Sequence, residues 1–173
     1  GGKNSTTTTT VVTNNQGQPS GGNIIGVGAT GGDAWVNLST SGDNMKIVPG
    51  KKWLIRFWVK NNSSVAAHSA QVYFSWSTAS GRKYLGATYT TPAAGASGYR
   101  QVVLDMRSST DDRSSATAVY IRLDNDGGNG SMLYFDNFMV EPIAESEVNN
   151  ASPTPSPYSA PLGTAPILSN GYL

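Results

Sequence analysis

Residues 51–62, KKWLIRFWVKNN, carry the clearest structural pattern in the chain. Read with a period of two, they place only apolar side chains on one side and cations with a second tryptophan on the other. The first set is Trp53, Ile55, Phe57 and Val59, and the second is Lys52, Leu54, Arg56, Trp58 and Lys60. A helix would scatter both tryptophans around its circumference. The segment is therefore predicted to be a strand that buries the first set and offers Arg56 and Trp58 to the outside.

Six further segments have the same strand-like character and are separated by clusters of Gly, Asn, Ser or Pro. They are AWVNLS (34–39), SAQVYFSWS (69–77), RKYLGATYTT (82–91), YRQVVLDM (99–106), TAVYIRLDN (117–125) and SMLYFDNFMVE (131–141). No window of about a dozen residues shows a helical period. Seven or eight short strands at this spacing predict an all-β fold, an antiparallel β-sandwich of the jelly-roll type, over residues 24–143.

Both flanks of this domain differ from it in composition. Residues 1–23 are low in complexity and contain a threonine run, which predicts an N-terminal arm or an edge strand. Residues 144–173 hold most of the prolines, which favour an extended tail. The apolar end of this tail, including Ile167 and Leu168, is expected either to dock on a neighbouring chain or to remain disordered.

Composition excludes several classes of function. The chain has no cysteine, so disulfides, zinc thiolate sites and thiol catalysis are excluded. Its formal net charge is +1 and it has no basic stripe, which argues against a nucleic-acid partner. No apolar segment approaches the roughly 20 residues of a spanning helix, so membrane insertion is not expected.

Two short motifs resemble known ligand loops but lack the context these need. GVGATG (26–31) matches a dinucleotide fingerprint, yet a strand-like segment follows it where a helix is required, so a glycine-rich loop is expected. LDNDGGNGS (123–131) begins like a calcium loop, but Gly128 and Phe135 stand at ligand positions. It is predicted to be a turn that connects two strands.

The sequence offers little for catalysis, and we predict that the domain is not an enzyme. The lone His68 has no G-x-S-x-G nucleophile elbow to accompany it. A glycosidase needs two carboxylates that face one bond, and the acids on the predicted strands are Asp105, Asp124, Asp136 and Glu141.

The outward sides of the strands combine aromatic and polar residues. Alternation directs Tyr73, Tyr120, Arg122 and Asp124 outward on their strands, as it does Arg56 and Trp58. We predict that these six residues share one surface that binds a sugar, because ring C–H groups stack on aromatic side chains and hydroxyls bond to planar polar groups. The alternative is that the strands are not neighbours and each aromatic is an ordinary surface residue.

Three segments resemble a known family. Val48-Pro49-Gly50, Phe57-Trp58-Val59-Lys60 and Tyr134-Phe135-Asp136-Asn137 with Glu141 are similar to motifs of jelly-roll carbohydrate-binding modules. Such modules are appended to secreted glycoside hydrolases and occur in phage tail fibres and tail-tip proteins. The resemblance covers about residues 34–142 and implies binding of a cell-surface or polymeric glycan.

The resemblance and the flanks together imply a parent and a location. The threonine-rich and proline-rich flanks suggest a receptor-recognition module of a phage tail fibre, in a virion tail or extracellular, and a homo-oligomer, whose linked copies gain avidity. The alternatives are a module of a secreted polysaccharide-degrading enzyme and a structural fibre domain without a sugar site. The family also implies a structural calcium with Asp136 as a ligand; hydrogen bonds from Asp136 to a neighbouring turn are the alternative.

Overall fold

The computed structural model describes residues 7–12, 15–31, 34–38, 51–107, 119–143 and 167–168. These ranges contain strands and no helix, so the all-β prediction is confirmed. The strands are β1 (Thr7–Val12), β2 (Ile24–Ala29), β3 (Ala34–Leu38), β4 (Lys52–Asn61), β5 (Ser69–Thr78), β6 (Gly81–Thr90), β7 (Ser97–Asp105), β8 (Val119–Asn125), β9 (Met132–Ile143) and β10 (Ile167–Leu168).

The strands form two sheets that pack face to face. The first sheet has the order β1-β2-β9-β4-β7, with β10 also paired to β9, and the second has the order β3-β8-β5-β6. All pairings are antiparallel, and most neighbours are distant in sequence. This is the predicted jelly-roll sandwich.

The core lies between the sheets and is built from alternate positions of the strands. The inward side of β4 is buried as predicted, from Trp53 at 7% exposed to Phe57 and Val59 at 0%. Phe57 meets Tyr89 edge to face at 5.0 Å and stacks on Phe138 at 5.6 Å. Aromatic pairs in these geometries add about 0.5–1.5 kcal/mol each beyond the area they bury.

A bulge in β9 sets the register of the first sheet. The pairing of β4 with β9 shifts between Arg56 and Trp58, where Asn137 adopts a positive φ of 52°. Asparagine tolerates this conformation better than most residues. The extra residue lets Phe135 and Phe138 both enter the core, although they are three positions apart.

The prediction of a glycine-rich loop at residues 26–31 is wrong. Residues 24–29 are β2, a strand buried along its whole length between β1 and β9. The buried apolar residues Ile24, Ile25 and Val27 favour a strand here despite the glycines, because a strand that is covered on both faces is rich in such residues. The threonine run does form an edge strand, β1, paired to β2 alone.

Part of the proline-rich tail returns to its own domain. Ile167 and Leu168 pair with Met139 and Phe138 of β9. The rest of residues 144–173 lies outside the described ranges. Among the residues described, no helix is long and apolar enough to cross a membrane.

Candidate functional site

Four of the six residues predicted to share one surface do lie together. Tyr73 lies on β5, and Tyr120, Arg122 and Asp124 lie on β8, the strand beside it. Tyr73 is directly opposite Arg122 in the ladder. All four belong to the outward side of the second sheet, because the alternate residues of both strands, such as Val72 and Leu123, are in the core.

The other two residues, Arg56 and Trp58, lie on the first sheet, so the prediction that they share this surface is wrong. Trp58 is only 4% exposed, which also contradicts the expected exposed indole. Arg56 donates to Glu141 at 2.7 Å in a half-buried ion pair. Alternation along β4 assigned the correct side of the strand, but it carries no information about which sheet the strand joins.

A loop lies across the outer side of the first sheet near Trp58. The Oδ2 atom of Asp136, the residue opposite Trp58, accepts hydrogen bonds from the Ser20 hydroxyl at 2.5 Å and the Ser20 backbone N–H at 3.3 Å. The Nζ atom of Lys60 donates to the carbonyl of Gln16 at 3.2 Å. These bonds hold residues 16–20 on the outer side of the sheet, the side to which Trp58 also belongs.

The same contacts test the implied calcium site. Asp136 is 3% exposed and accepts hydrogen bonds from the turn at Ser20, which is the alternative stated for it. Calcium needs about six to eight oxygen ligands, usually including several carboxylates. Among the described residues no group of three or more acidic, histidine or cysteine side chains could hold a metal. Among the described residues, Asp136 therefore has the turn at Ser20 as its partner and belongs to no group of three or more such side chains.

The outward side of the second sheet contains three further functional candidates, Trp35, Arg82 and Tyr84. We call the whole set the aromatic face; its members are Trp35, Tyr73, Arg82, Tyr84, Tyr120 and Arg122, supported by Asp124. Trp35 stands opposite Asp124 in the ladder, and Tyr84 stands opposite Ser75. The same alternation applied to AWVNLS and RKYLGATYTT would have found them, although not their positions beside β8 and β5.

Arg122 is the centre of the aromatic face. Its guanidinium carbon lies 4.5 Å from the ring centre of Trp35, 5.1 Å from that of Tyr73 and 5.2 Å from that of Tyr84. Cations at such distances are attracted to the faces of aromatic rings. Arg122 thus joins side chains from three neighbouring strands into one surface.

Asp124 fixes the orientation of Arg122. Nε of Arg122 donates to Oδ1 of Asp124 at 2.7 Å, and Nη2 donates to Oδ2 at 2.9 Å. The side chains are 12% exposed for Arg122 and 3% for Asp124. Because paired, charge-assisted bonds fix the plane of the guanidinium, its position is set before any ligand arrives. Asp124 is therefore buried below the aromatic face and orients Arg122 from there.

Gly86 lets the Tyr73 ring lie across the neighbouring strand. The two residues are directly opposite each other on β6 and β5. A Cβ atom at position 86 would overlap with the Tyr73 ring and would lie 3.0 Å from Oε1 of Gln71. A glycine in a strand commonly marks such a close approach.

Tyr84 and Tyr120 lie on either side of a small residue, Ser75. Both are opposite Ser75 of β5, which is 0% exposed. Tyr84 is 47% exposed, and its ring meets that of Tyr73 edge to face at 6.4 Å. Ser75 is covered, and its hydroxyl accepts a hydrogen bond from Nη1 of Arg82 at 2.9 Å, so the two tyrosine rings flank a guanidinium.

The four strand acids that a glycosidase could use each have a separate partner. Asp105 binds Arg107, Asp124 binds Arg122, Asp136 binds Ser20 and Glu141 binds Arg56. Asp124 belongs to the second sheet, whereas the other three belong to the first. The arrangement engages these carboxylates in structural contacts.

The fold is a jelly-roll sandwich of the kind found in carbohydrate-binding modules, which confirms the predicted resemblance at the level of the fold. The CBM22-1 and GH10 modules of Clostridium thermocellum endo-1,4-beta-D-xylanase 10B, complexed with xylohexaose, align with TM-score 0.55 and 11% identity over 79% of this chain and 25% of that one. The CBM22-1 xylan-binding domain of Paenibacillus barcinonensis Xyn10C aligns with TM-score 0.51 and 9% identity over 82% of this chain and 85% of that one.

A phage protein has a similar fold. The enzymatically active domain of tailspike protein 4 from bacteriophage CBA120 aligns with TM-score 0.50 and 13% identity, over 79% of this chain and 18% of that one. The chain thus spans about a quarter of the xylanase structure and less than a fifth of the tailspike. No protein-family model and no curated protein matches it.

Proposed function

We propose that this domain is a non-catalytic glycan-binding module and that the aromatic face is its binding site. The observation that carries the proposal is the cluster in which Arg122 is held by Asp124 and lies about 5 Å from three aromatic rings. Here a partly exposed aromatic surface coincides with fixed polar groups.

The chemistry of this surface suits a sugar. A pyranose ring carries C–H groups on its faces, which stack on a tyrosine ring, and hydroxyls at its edge. Tyr84 and Tyr120 offer such rings on either side of Ser75. Arg82 and Arg122 supply donors whose positions are held by hydrogen bonds, and Gln71 adds an amide donor and acceptor. The fold shared with xylan-binding and other carbohydrate-binding modules supports the same function.

For the parent protein we propose a phage tail fibre or tail-tip protein, with the domain as its receptor-recognition module and several copies in one fibre. The likeness to the CBA120 tailspike supports this parent. The likeness to xylanase modules supports the alternative, a secreted polysaccharide-degrading enzyme. Either parent would place the domain outside the cell that makes it, in a virion tail or an extracellular protein.

Binding to soluble polysaccharides tests the function. Affinity electrophoresis and calorimetry with xylans, glucans and bacterial surface polysaccharides should give a saturable signal. We expect Tyr84→Ala and Tyr120→Ala each to weaken it about two- to tenfold, from about 0.5–1.5 kcal/mol per aromatic contact. Tyr134→Ala is the matched control, because Tyr134 is half-buried on the first sheet, beside Lys60.

Two results would contradict this proposal. A folded protein that binds none of the polysaccharides would favour the structural fibre domain, the third possibility. An equal loss in Tyr134→Ala and Tyr84→Ala would show that binding, if present, does not use the aromatic face.

A further inference from the structure

Among the described residues, Arg82 is an exposed arginine that no carboxylate pairs with. It is exposed at the beginning of β6, on the aromatic face. Its Nη1 donates to the Ser75 hydroxyl at 2.9 Å, and its guanidinium carbon lies 5.4 Å from the centre of the Tyr120 ring. Within the part of the chain that the structure describes, no carboxylate pairs with it.

The other described arginines are neutralised or enclosed. Arg56, Arg107 and Arg122 each pair with a carboxylate. Arg100, 8% exposed, donates to the carbonyls of Thr90 and Tyr99 instead. Among the described arginines, Arg82 therefore combines an exposed positive charge with a fixed position.

This gives the aromatic face a local charge. The charges of Arg122 and Asp124 neutralise each other, because both carboxylate oxygens of Asp124 accept hydrogen bonds from the Arg122 guanidinium. Arg82 then leaves a net charge of +1 among the described members of the face. Since Ser75 occupies only one terminal nitrogen of Arg82, Nε and Nη2 can donate to a ligand.

Resting on the proposed function, we propose that the glycan is acidic and that Arg82 binds a carboxylate on one of its sugars, such as a uronate. The planar guanidinium fork matches a carboxylate through two parallel hydrogen bonds. Tyr84 and Arg82 are two residues apart on one strand, or about 7 Å. A sugar stacked beside Tyr84 would thus present a carboxylate within reach of Arg82.

The test compares uronate polymers with their carboxyl-reduced counterparts, which keep the backbone and lose the charge. The probes are polygalacturonate, alginate, hyaluronan and glucuronoxylan, each in both forms, at low ionic strength. We expect at least one native polymer to bind about fivefold more tightly than its reduced form, the upper end for an exposed ion pair. Added salt should weaken binding of the native form.

Two variants locate the effect. Arg82→Gln should bring the ratio of native to reduced affinity close to one. Lys83→Gln removes the same charge at the next residue, whose side chain is directed to the other side of the sheet, and should leave the ratio unchanged. A ratio that survives in Arg82→Gln, or falls equally in Lys83→Gln, overturns the assignment.

The outcomes separate this inference from the proposed function. Equal binding of native and reduced polymers, or binding of neutral glycans alone, overturns the acidic specificity and leaves the glycan-binding function standing. Equally tight binding of dextran sulfate overturns the choice of a carboxylate. If no glycan of either kind binds, the proposed function fails and the inference fails with it.

Discussion

Replacing Asp124 by Asn should destabilise the domain far more than the same change at Asp105. The two aspartates make nearly the same contact with an arginine two residues away. Arg122 donates to Asp124 at 2.7 and 2.9 Å, and Arg107 donates to Asp105 at 2.9 and 3.0 Å. Burial distinguishes them. Side-chain exposure is 12% and 3% in the first pair but 38% and 39% in the second.

The expected magnitude follows from this difference in burial. Removing one partner of a buried pair costs about 3–5 kcal/mol because a charge is left uncompensated. The Asn oxygen of the variant can still accept from Nε of Arg122, and three aromatic rings remain around the cation. We therefore expect a smaller cost than this range, about 2–3 kcal/mol, or a fall in Tm of about 4–12 °C. Asp105→Asn should cost about 0–1 kcal/mol, since solvent screens an exposed pair.

Urea denaturation followed by tryptophan fluorescence at pH 7 measures both values, with unchanged m-values as the condition for comparing them. A double-mutant cycle with Arg122→Met isolates the pair itself. In addition, Asp124→Asn should weaken glycan binding, because the guanidinium at the centre of the aromatic face loses its fixed orientation. Equal losses of stability in the two Asn variants would refute the reasoning from burial, as would a coupling energy near zero between positions 122 and 124.

Three further predictions concern other parts of the molecule. Gly86→Ala should displace the Tyr73 ring and weaken polysaccharide binding severalfold in a folded protein, whereas unchanged affinity would show that the ring position does not matter. Trp58→Ala should cost about 3–5 kcal/mol of stability, as expected for a buried aromatic; a loss below about 1 kcal/mol would mean that the site is solvated. The Arg107 side chain, chiefly through its hydrogen bonds, holds the pKa of Asp105 below its ordinary value; NMR titration should show this, and Arg107→Gln should raise it. Because the folded-state pKa is the lower one, this contribution to stability is present above the unfolded pKa and is lost as pH falls through the folded value.

The sequence predicted the strands well because their side chains alternate with a simple period. The inward set of β4 and the outward positions of Tyr73, Tyr120 and Arg122 were all readable from single strands. The strand β2 was missed because its glycines suggested a loop, whereas Ile24, Ile25 and Val27 are what a buried central strand requires.

Sheet membership could not be predicted in the same way. The neighbours of β4 are β7 and β9, and those of β5 are β6 and β8, so pairs distant in sequence determine which outward residues meet. No periodicity within one strand encodes such pairing. Alternation alone therefore predicts one surface for Arg56 and Tyr73, which lie on the outer sides of different sheets.

The two outer surfaces nevertheless differ in a way that residue type explains. Outward positions of the first sheet include Leu54, Trp58 and Met139, which are 3%, 4% and 1% exposed. Those of the second sheet include Tyr73, Tyr84 and Tyr120, whose rings remain partly or largely exposed. Leucine, methionine and tryptophan on the outside of a sheet gain most from being covered, whereas tyrosine beside arginine tolerates water through its hydroxyl. An apolar outward residue is therefore better evidence for a covering segment than for a ligand, and Trp58 follows this rule. A tyrosine with a fixed cation beside it is the better indication of a surface that remains open to solvent.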